Sequence, residues 1–344
     1  MQTNSPASGK DSPSPATLTD SFGRRVDYVR LSVTDRCDLR CRYCMPERMT
    51  FQPRSDLLTT GEIATLADFL VQQGVRKLRL TGGEPLARKD FPELLMRIAP
   101  LLDRGLDELT LTTNGTQLAR HARSLRKAGI VRINVSLDTL DRQTYAHLTR
   151  RDRLLQVLGG IAIAAAEGLS IKINTVALKG VNEADIAGIM RWAHAMGHEM
   201  SLIEVMPVGE VEEHRADQFV PLTAIVEELE RGYTLHPLAK TTGGPARYYR
   251  VEETGGTLGL ISPLTRNFCS GCNRLRITAS GTLYPCLGGG LALDLRSALR
   301  SADPVAAIER TLGTALERKP EKHAFAIEKN SEAKVKRHMS VTGG

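Results

Sequence analysis

Lys77-Leu78-Arg79-Leu80-Thr81-Gly82-Gly83-Glu84-Pro85 is the stretch on which the reading of this chain turns. Leu78 and Leu80 alternate with Lys77, Arg79 and Thr81, the period-two pattern of a strand with one apolar and one polar face. The same alternation recurs on either side. Val29, Leu31 and Val33 oppose Tyr28, Arg30 and Ser32; Val131, Ile133, Val135 and Leu137 oppose Arg132, Asn134, Ser136 and Asp138; Ile171 and Ile173 oppose Lys172 and Asn174. Six strands are predicted, near 28–33, 76–81, 108–113, 131–137, 170–177 and 199–206, with helical stretches between them. One helix is announced by the capping-box pattern Thr59-Thr60-Gly61-Glu62 and another by Asp90-Phe91-Pro92-Glu93.

Repeated strand–helix units imply right-handed crossovers and a parallel sheet. Six units rather than eight predict an α/β fold, an incomplete (β/α)6 three-quarter TIM-type barrel. Buried parallel strands usually read as continuous apolar runs. Here helices must cover the apolar faces, so the polar faces line the lumen that a complete barrel fills with aliphatics. Cations there are costly without an anionic ligand. By this reading Lys77 and Arg132 are the two cations best explained as a solvated basic face.

After about residue 207 the rhythm changes. A helix near 222–231 precedes two hairpins, 248–252 with 257–261 and 275–279 with 282–286. This C-terminal α+β extension is expected to close the barrel. The chain thus divides into a Ser/Pro/Thr-rich disordered tail (1–19), the partial barrel (20–231) and a C-terminal domain (232–344).

All six cysteines fall into two groups of three: Cys37, Cys41 and Cys44, then Cys269, Cys272 and Cys286. An iron–sulfur cube is usually held by four thiolates. Three leave one iron open to a ligand, and the second hairpin folds Cys286 back toward Cys269 and Cys272. The rival reading joins Cys41, Cys44, Cys269 and Cys272 in one tetrahedral zinc site, leaving Cys37 and Cys286 unexplained. Six cysteines in 344 residues, without a secretory signal, point away from a disulfide framework and toward a cytoplasmic protein. No apolar run approaches a membrane span. The net charge of +7 comes with only 4% aromatic residues and dispersed Lys and Arg, so a phosphorylated small molecule accounts for it without nucleic acid.

Cys37-Asp38-Leu39-Arg40-Cys41-Arg42-Tyr43-Cys44 with the Gly82-Gly83-Glu84-Pro85 turn resembles the radical S-adenosylmethionine (SAM) superfamily. Cys269-Ser270-Gly271-Cys272-Asn273-Arg274-Leu275-Arg276, Cys286 and the terminal Gly343-Gly344 resemble the MoaA family of GTP 3′,8-cyclases, the lyases of molybdenum-cofactor biosynthesis. The resemblance implies two [4Fe-4S] clusters, one on each triad. It places SAM at Tyr43, Gly83, Ser136 and Met206, and GTP at Arg30, Arg79, Thr112, Lys172, Arg274, Leu275 and Arg276. Gly82 and Gly83 are read as letting the backbone approach the ligand. The implied reaction converts GTP to 3′,8-cyclo-7,8-dihydroguanosine 5′-triphosphate, with no side-chain acid or base. Implied partners are a flavodoxin- or ferredoxin-type reductant, cyclic pyranopterin monophosphate synthase as the recipient of product, and a second copy in a homodimer. The Gly343-Gly344 tail is expected to thread into the site. The chain departs from the family at Ser201, where an Arg is usual, and at Thr342, where an Ile is common. The alternative function is a radical SAM enzyme with an auxiliary cluster acting on another nucleotide or a peptide.

Overall fold

The computed structural model describes residues 18–212, 215–327 and 335–343. All six expected strands form: β1 (Tyr28–Ser32), β2 (Lys77–Thr81), β3 (Glu108–Thr113), β4 (Arg132–Ser136), β5 (Ser170–Ala177) and β6 (Glu199–Glu204). They pair parallel, in sequence order. The crossovers carry α1 (Thr60–Gln72), α2 (Phe91–Ile98), α3 (Leu118–Lys127), α4 (Arg142–Thr149), α5 (Leu154–Ala166) and α6 (Ile186–Ala195). α1 starts with the expected capping box: Thr59 Oγ1 accepts from Glu62 N, and the Glu62 carboxylate accepts from Thr59 N. Asp90 does not cap α2, because Arg88 takes both of its oxygens, at 2.8 and 3.0 Å.

Register turns the alternation into layers. Leu80, Leu111, Ile133 and Ile171 lie side by side and pack outward against the helices in one core. On the inner face, Arg276, Arg30, Arg79 and Thr110 form one row, and Thr112, Asn134 and Lys172 form another. Arg79 and Lys172 are only 5% and 4% exposed, so these charges point into an enclosed space. Lys77 and Arg132 belong there too. Lys77 is 8% exposed, and both cations grip Glu108, at 2.5 and 2.7 Å. The solvated-face reading of this pair is therefore corrected.

The C-terminal elements are α7 (Arg215–Gln218), α8 (Leu222–Leu229), β7 (Leu235–Leu238), β8 (Arg247–Val251), β9 (Thr257–Ile261), β10 (Arg274–Ile277), β11 (Thr282–Tyr284), β12 (Leu293–Asp294), α9 (Leu295–Leu299), α10 (Pro304–Glu317) and α11 (Met339–Thr342). They do not close the barrel by strand pairing. β10 adds parallel to β1, β9 adds parallel to β6, and antiparallel strands continue outward from each. Among the described residues the result is one open sheet of twelve strands, with the six barrel strands in the middle. Most of the expected N-terminal tail lies outside the described residues. Its last two residues are ordered, with Thr19 bridged to Arg25 and Val26 N bonded to Leu18 O. Among the described residues, no helix is long and apolar enough to cross a membrane.

The Gly82-Gly83 turn, besides lining the expected cofactor cavity, packs closely against the chain's own backbone. Gly83 N donates to Thr34 O at 2.8 Å and Glu84 N to Arg36 O at 2.7 Å. A Cβ on Gly83 would overlap the Arg36 carbonyl and sit 2.7 Å from Asp35 O. The turn lies directly against the backbone that leads into Cys37, and only glycine permits that approach. Gly83→Ala is expected to cost about 1–3 kcal/mol through overpacking. A lower urea midpoint at constant m value, with reduced iron retention, is the expected result; unchanged stability would contradict the contact.

Candidate functional site

The first three cysteines follow β1 and line a cavity of about 1110 Å³, together with Tyr43, Gly83, Thr112, Ser136 and Met206. Their loop is pinned from several sides. Cys44 N and Met45 N donate to Cys41 O, forming a single tight turn. Arg40 Nη1 donates to Cys37 O at 2.6 Å. Asp38 accepts from Asn114 Nδ2 and Thr116 Oγ1, at 2.8 and 2.6 Å, and Asn114 Nδ2 lies 3.6 Å from Cys37 Sγ. Tyr43 OH donates to Asp138 Oδ2 at 2.6 Å, while Asp138 Oδ1 accepts from Val176 N. Fully buried Glu84 ties the β2 turn to the β3 turn through Thr113 Oγ1 and Asn114 N.

Burial sets the electrostatics here. It raises the Cys37 and Cys41 thiols and pushes Cys44 up to about 11 despite the nearby Arg215. It also raises Glu84 to about 7 and Asp138 to about 6, the latter in spite of its Tyr43 hydrogen bond. Thiols held this high ionise when a metal binds, releasing protons.

The second three cysteines line a cavity of about 1140 Å³, with Arg30, Arg79, Lys172, Arg274 and Arg276 around it. Cys272 precedes β10, and the β10–β11 hairpin returns the chain to Cys286 as expected. Cys37 lies past the C-terminal end of β1, whereas Cys272 lies before the N-terminal end of its parallel neighbour β10. The triads therefore occupy opposite ends of the lumen, separated by roughly the 17 Å of a five-residue strand. The two cavities meet at Asn174, Ile203 and Met206, which line both.

This separation removes the single zinc site, since Cys41 and Cys44 line one cavity and Cys269 and Cys272 the other. Among the described residues, no three metal-ligating side chains converge on a point. Each triad instead lines its own cavity, which suits a cluster rather than a single ion. The lumen also holds polar atoms ready for ligands. Asn134 Oδ1, Asn174 Oδ1 and Ser201 Oγ are buried with no hydrogen-bond partner among the described residues. Both observations fit two iron–sulfur clusters with small polar ligands between them.

The cations are held by aromatic residues. Tyr28 OH accepts from Arg79 Nε at 2.6 Å and Arg30 Nη1 at 3.3 Å. Burial opposes its ionisation, but Arg79, Arg30, Lys77 and Arg274 overcome it and hold the phenol at about 7. Lys172 Nζ donates to Tyr248 OH at 2.7 Å. Burial, aided by Arg132, Arg79 and Lys240, lowers Lys172 to about 7 and, with Tyr28 opposing, burial lowers Arg30 to about 10.

Two expected nucleotide contacts are placed elsewhere. Thr112 lines the first-triad cavity, although Arg79 Nη1 reaches its hydroxyl at 3.2 Å. Leu275 is completely buried on the outer, apolar face of β10, because alternation sends only Arg274 and Arg276 inward. Ser201 is fully buried opposite Asn174 and Gly259, and a Cβ on Gly259 would overlap its hydroxyl.

Comparison with known proteins agrees with this arrangement. Residues 31–193 match the Radical SAM superfamily model and residues 198–325 match the model described as Molybdenum Cofactor Synthesis C. The GTP 3′,8-cyclase of Erythrobacter litoralis is 58% identical over 327 residues, covering 95% of this chain and 98% of that protein. That of Rhizobium etli is 50% identical over the full length of both.

This chain belongs to the GTP 3′,8-cyclase family. Among solved structures, Streptococcus suis SuiB bound to S-adenosylmethionine matches with a TM-score of 0.62 at 15% identity, covering 93% of this chain and 78% of that one. The native anSMEcpe structure with bound AdoMet matches at 0.58 and 14% identity, covering 87% and 82%. These likenesses support the partial-barrel fold.

Membership in the GTP 3′,8-cyclase family directs attention to the C-terminus, and there the chain does enter the lumen. Met339 and Ser340 line the first-triad cavity beside Cys44, where the Ser340 backbone acts to lower the thiol against the effect of burial. Arg276 Nη1 donates to Gly343 O at 2.6 Å. Gly343 has φ +74°, and a Cβ there would overlap Thr81; Gly344 lies outside the described residues. Sequence reasoning missed two residues here. Arg24, paired with Asp20 at 2.6 Å, donates to the carbonyls of Cys269, Pro320 and Glu321. Buried Lys319 reaches Cys272, whose thiol is opposed by burial yet brought down to about 7 by Arg274 and Lys319. Gly343→Ala should expel the tail without unfolding the barrel. Hydrogen exchange at the Val341 amide, which donates to His338 O at 3.1 Å, should rise at least tenfold while the urea midpoint stays unchanged; retained protection would show that the tail does not depend on the Gly343 contact.

Proposed function

We propose that this chain is a radical SAM enzyme converting GTP to 3′,8-cyclo-7,8-dihydroguanosine 5′-triphosphate, the first step of molybdenum-cofactor biosynthesis. The observation that carries the reading is the cationic lumen between two thiolate triads at opposite ends of one barrel. Bound SAM and its reduced cluster would supply hydrogen abstraction from the ribose, initiating closure of C3′ onto C8.

The chain's own residues bind, orient and shield. Cys37, Cys41 and Cys44 would hold the first cluster, which would supply the electron for SAM cleavage. Gly83, Ser136, Met206 and Tyr43 line that cavity. Tyr43 acts through Asp138, which its hydroxyl fixes to the β5 backbone at Val176 N. Cys269, Cys272 and Cys286 would hold the second cluster, which would help bind the substrate. Arg30, Arg79, Lys172, Arg274 and Arg276 supply charge for the triphosphate, and Arg provides paired donors suited to phosphate oxygens. The same cations disfavour an uncharged peptide substrate. Thr112 contributes by orienting Arg79. Leu275 contributes only through its backbone and through the alternation that aims its neighbours. Gly343 and Gly344 would place the tail beside Arg276. Apart from the metal ligands, no side chain is required as acid or base, and exclusion of water from the lumen protects the radical steps.

The reading extends to a flavodoxin- or ferredoxin-type electron donor, transfer of product to cyclic pyranopterin monophosphate synthase, a cytoplasmic location and a homodimer. Anaerobic incubation of reconstituted protein with SAM, dithionite and GTP tests the core of it. GTP-dependent formation of 5′-deoxyadenosine is expected; equal yield with other nucleotides would overturn the substrate assignment.

Lys172 gives a pH signature. Its pKa in the free enzyme is about 7, and a triphosphate stabilises the charged form. Protonated Lys172 is available below that value, so GTP affinity should fall as pH rises through 7, by up to about tenfold per unit from this group. Calorimetry in buffers of different ionisation enthalpy should detect proton uptake near pH 8. Lys172→Met should reduce the uptake, leaving the share carried by the Tyr28 phenol, also held at about 7 in the same cavity, and weaken binding about 10- to 100-fold, on the order of 1.5–3 kcal/mol for a charged hydrogen bond. Pre-steady wild-type binding that is flat from pH 6 to 9 would contradict this role.

A further inference from the structure

Lys319 follows α10 and is 2% exposed. Its Nζ donates to Arg274 O at 2.9 Å and Pro285 O at 2.7 Å, and it reaches Cys272 Sγ at 3.6 Å. An ammonium group has three donors, and all three are engaged. Among the described residues it has no carboxylate partner. A buried cation without a counter-charge is costly, so this site expects negative charge beside it. The sulfur of Cys272 is the group in position to carry that charge. The two carbonyls are equally specific: one belongs to the strand that follows Cys272 and the other to the residue just before Cys286. One side chain thus joins the segments that carry two of the three thiols.

We propose that Lys319 is a positioning residue of the second cluster, holding the Cys272 and Cys286 segments together and raising the cluster's reduction potential by hydrogen-bonding the Cys272 sulfur. The proposal rests on the reading above that the second triad holds a cluster. Reduction adds a negative charge to the cluster, and a fixed ammonium in a low-dielectric setting favours that state. Hydrogen bonds to ligand sulfurs are among the levers that set iron–sulfur potentials. The effect is local, because the first triad occupies the other end of the lumen.

The test is a redox titration monitored by electron paramagnetic resonance on reconstituted full-length protein. The first cluster is recognised by its response to added SAM. Lys319→Met should shift the second-cluster midpoint to a more negative potential and leave the first unchanged. Lys319→Gln should shift it in the same direction, and Lys319→Arg should stay closest to wild type. Should the Met variant lose its second cluster, the Gln and Arg pair decides the question. An unshifted midpoint in the Gln variant, or equal shifts of both clusters, overturns the proposal. The measurement uses neither GTP nor turnover, so an error in the substrate assignment leaves it intact. Wild-type protein that assembles only one cluster would instead count against the proposed function.

Discussion

A parallel sheet that turns its charged face inward is the constraint on which this molecule depends. Arg30, Arg79, Lys172 and Arg276 share an enclosed space, and like charges at such spacing repel strongly in a low-dielectric setting. Aromatic residues make the arrangement tolerable. Lys77 and Arg79 lie over the Tyr28 ring at 5.2 and 5.9 Å, and Lys172 lies 4.6 Å from the Tyr248 ring centre. The hydroxyls of the same two rings accept hydrogen bonds from Arg79 and Lys172. Each tyrosine therefore orients a cation without fully neutralising it. The remaining charge is available to an anionic ligand, which need not reorganise the site in order to bind.

The glycine turn and the cysteine loop show how rigid backbone contacts support a reactive centre. Thr34, Asp35 and Arg36 are locked against Gly82 and Gly83, and Glu84 fixes the adjacent β3 turn. Cys37 then emerges from a segment whose position is set by main-chain atoms on two sides. The second triad relies more on side chains. Arg24 secures the Cys269 carbonyl and Lys319 spans the segments bearing Cys272 and Cys286. The first triad is thus built on strand ends, and the second is stitched together by buried cations.

The barrel strands were legible because alternation is a local property, and each run carries its own two faces. Arg79 and Lys172 could be assigned to the lumen on that ground alone. Lys77 and Arg132 were misjudged because their partner, Glu108, sits on a different strand, and register is not visible in one segment. The Gly82-Gly83 turn was recognised, but its packing against the chain's own backbone was not, since the opposing carbonyls come from a loop 47 to 48 residues earlier in the chain. Arg24 and Lys319 lie in unremarkable stretches, and their importance comes entirely from long-range contacts with carbonyls. The placement of β9 and β10 at the two sheet edges was likewise hidden, because short hairpins do not announce which strand they will join.

The edge pairing of β1 with β10 also determines the order in which the molecule can be assembled. Asp27 and Asn273, hydrogen-bonded at this seam, are separated by 246 positions in the chain. A nascent polypeptide leaving the ribosome can gather its central strands early, but the border beside β1 must wait until β10 has been made. Non-local pairing of this kind is slow and leaves unpaired strand edges exposed in the interim. The second triad's site is accordingly framed only once segments 246 positions apart have met.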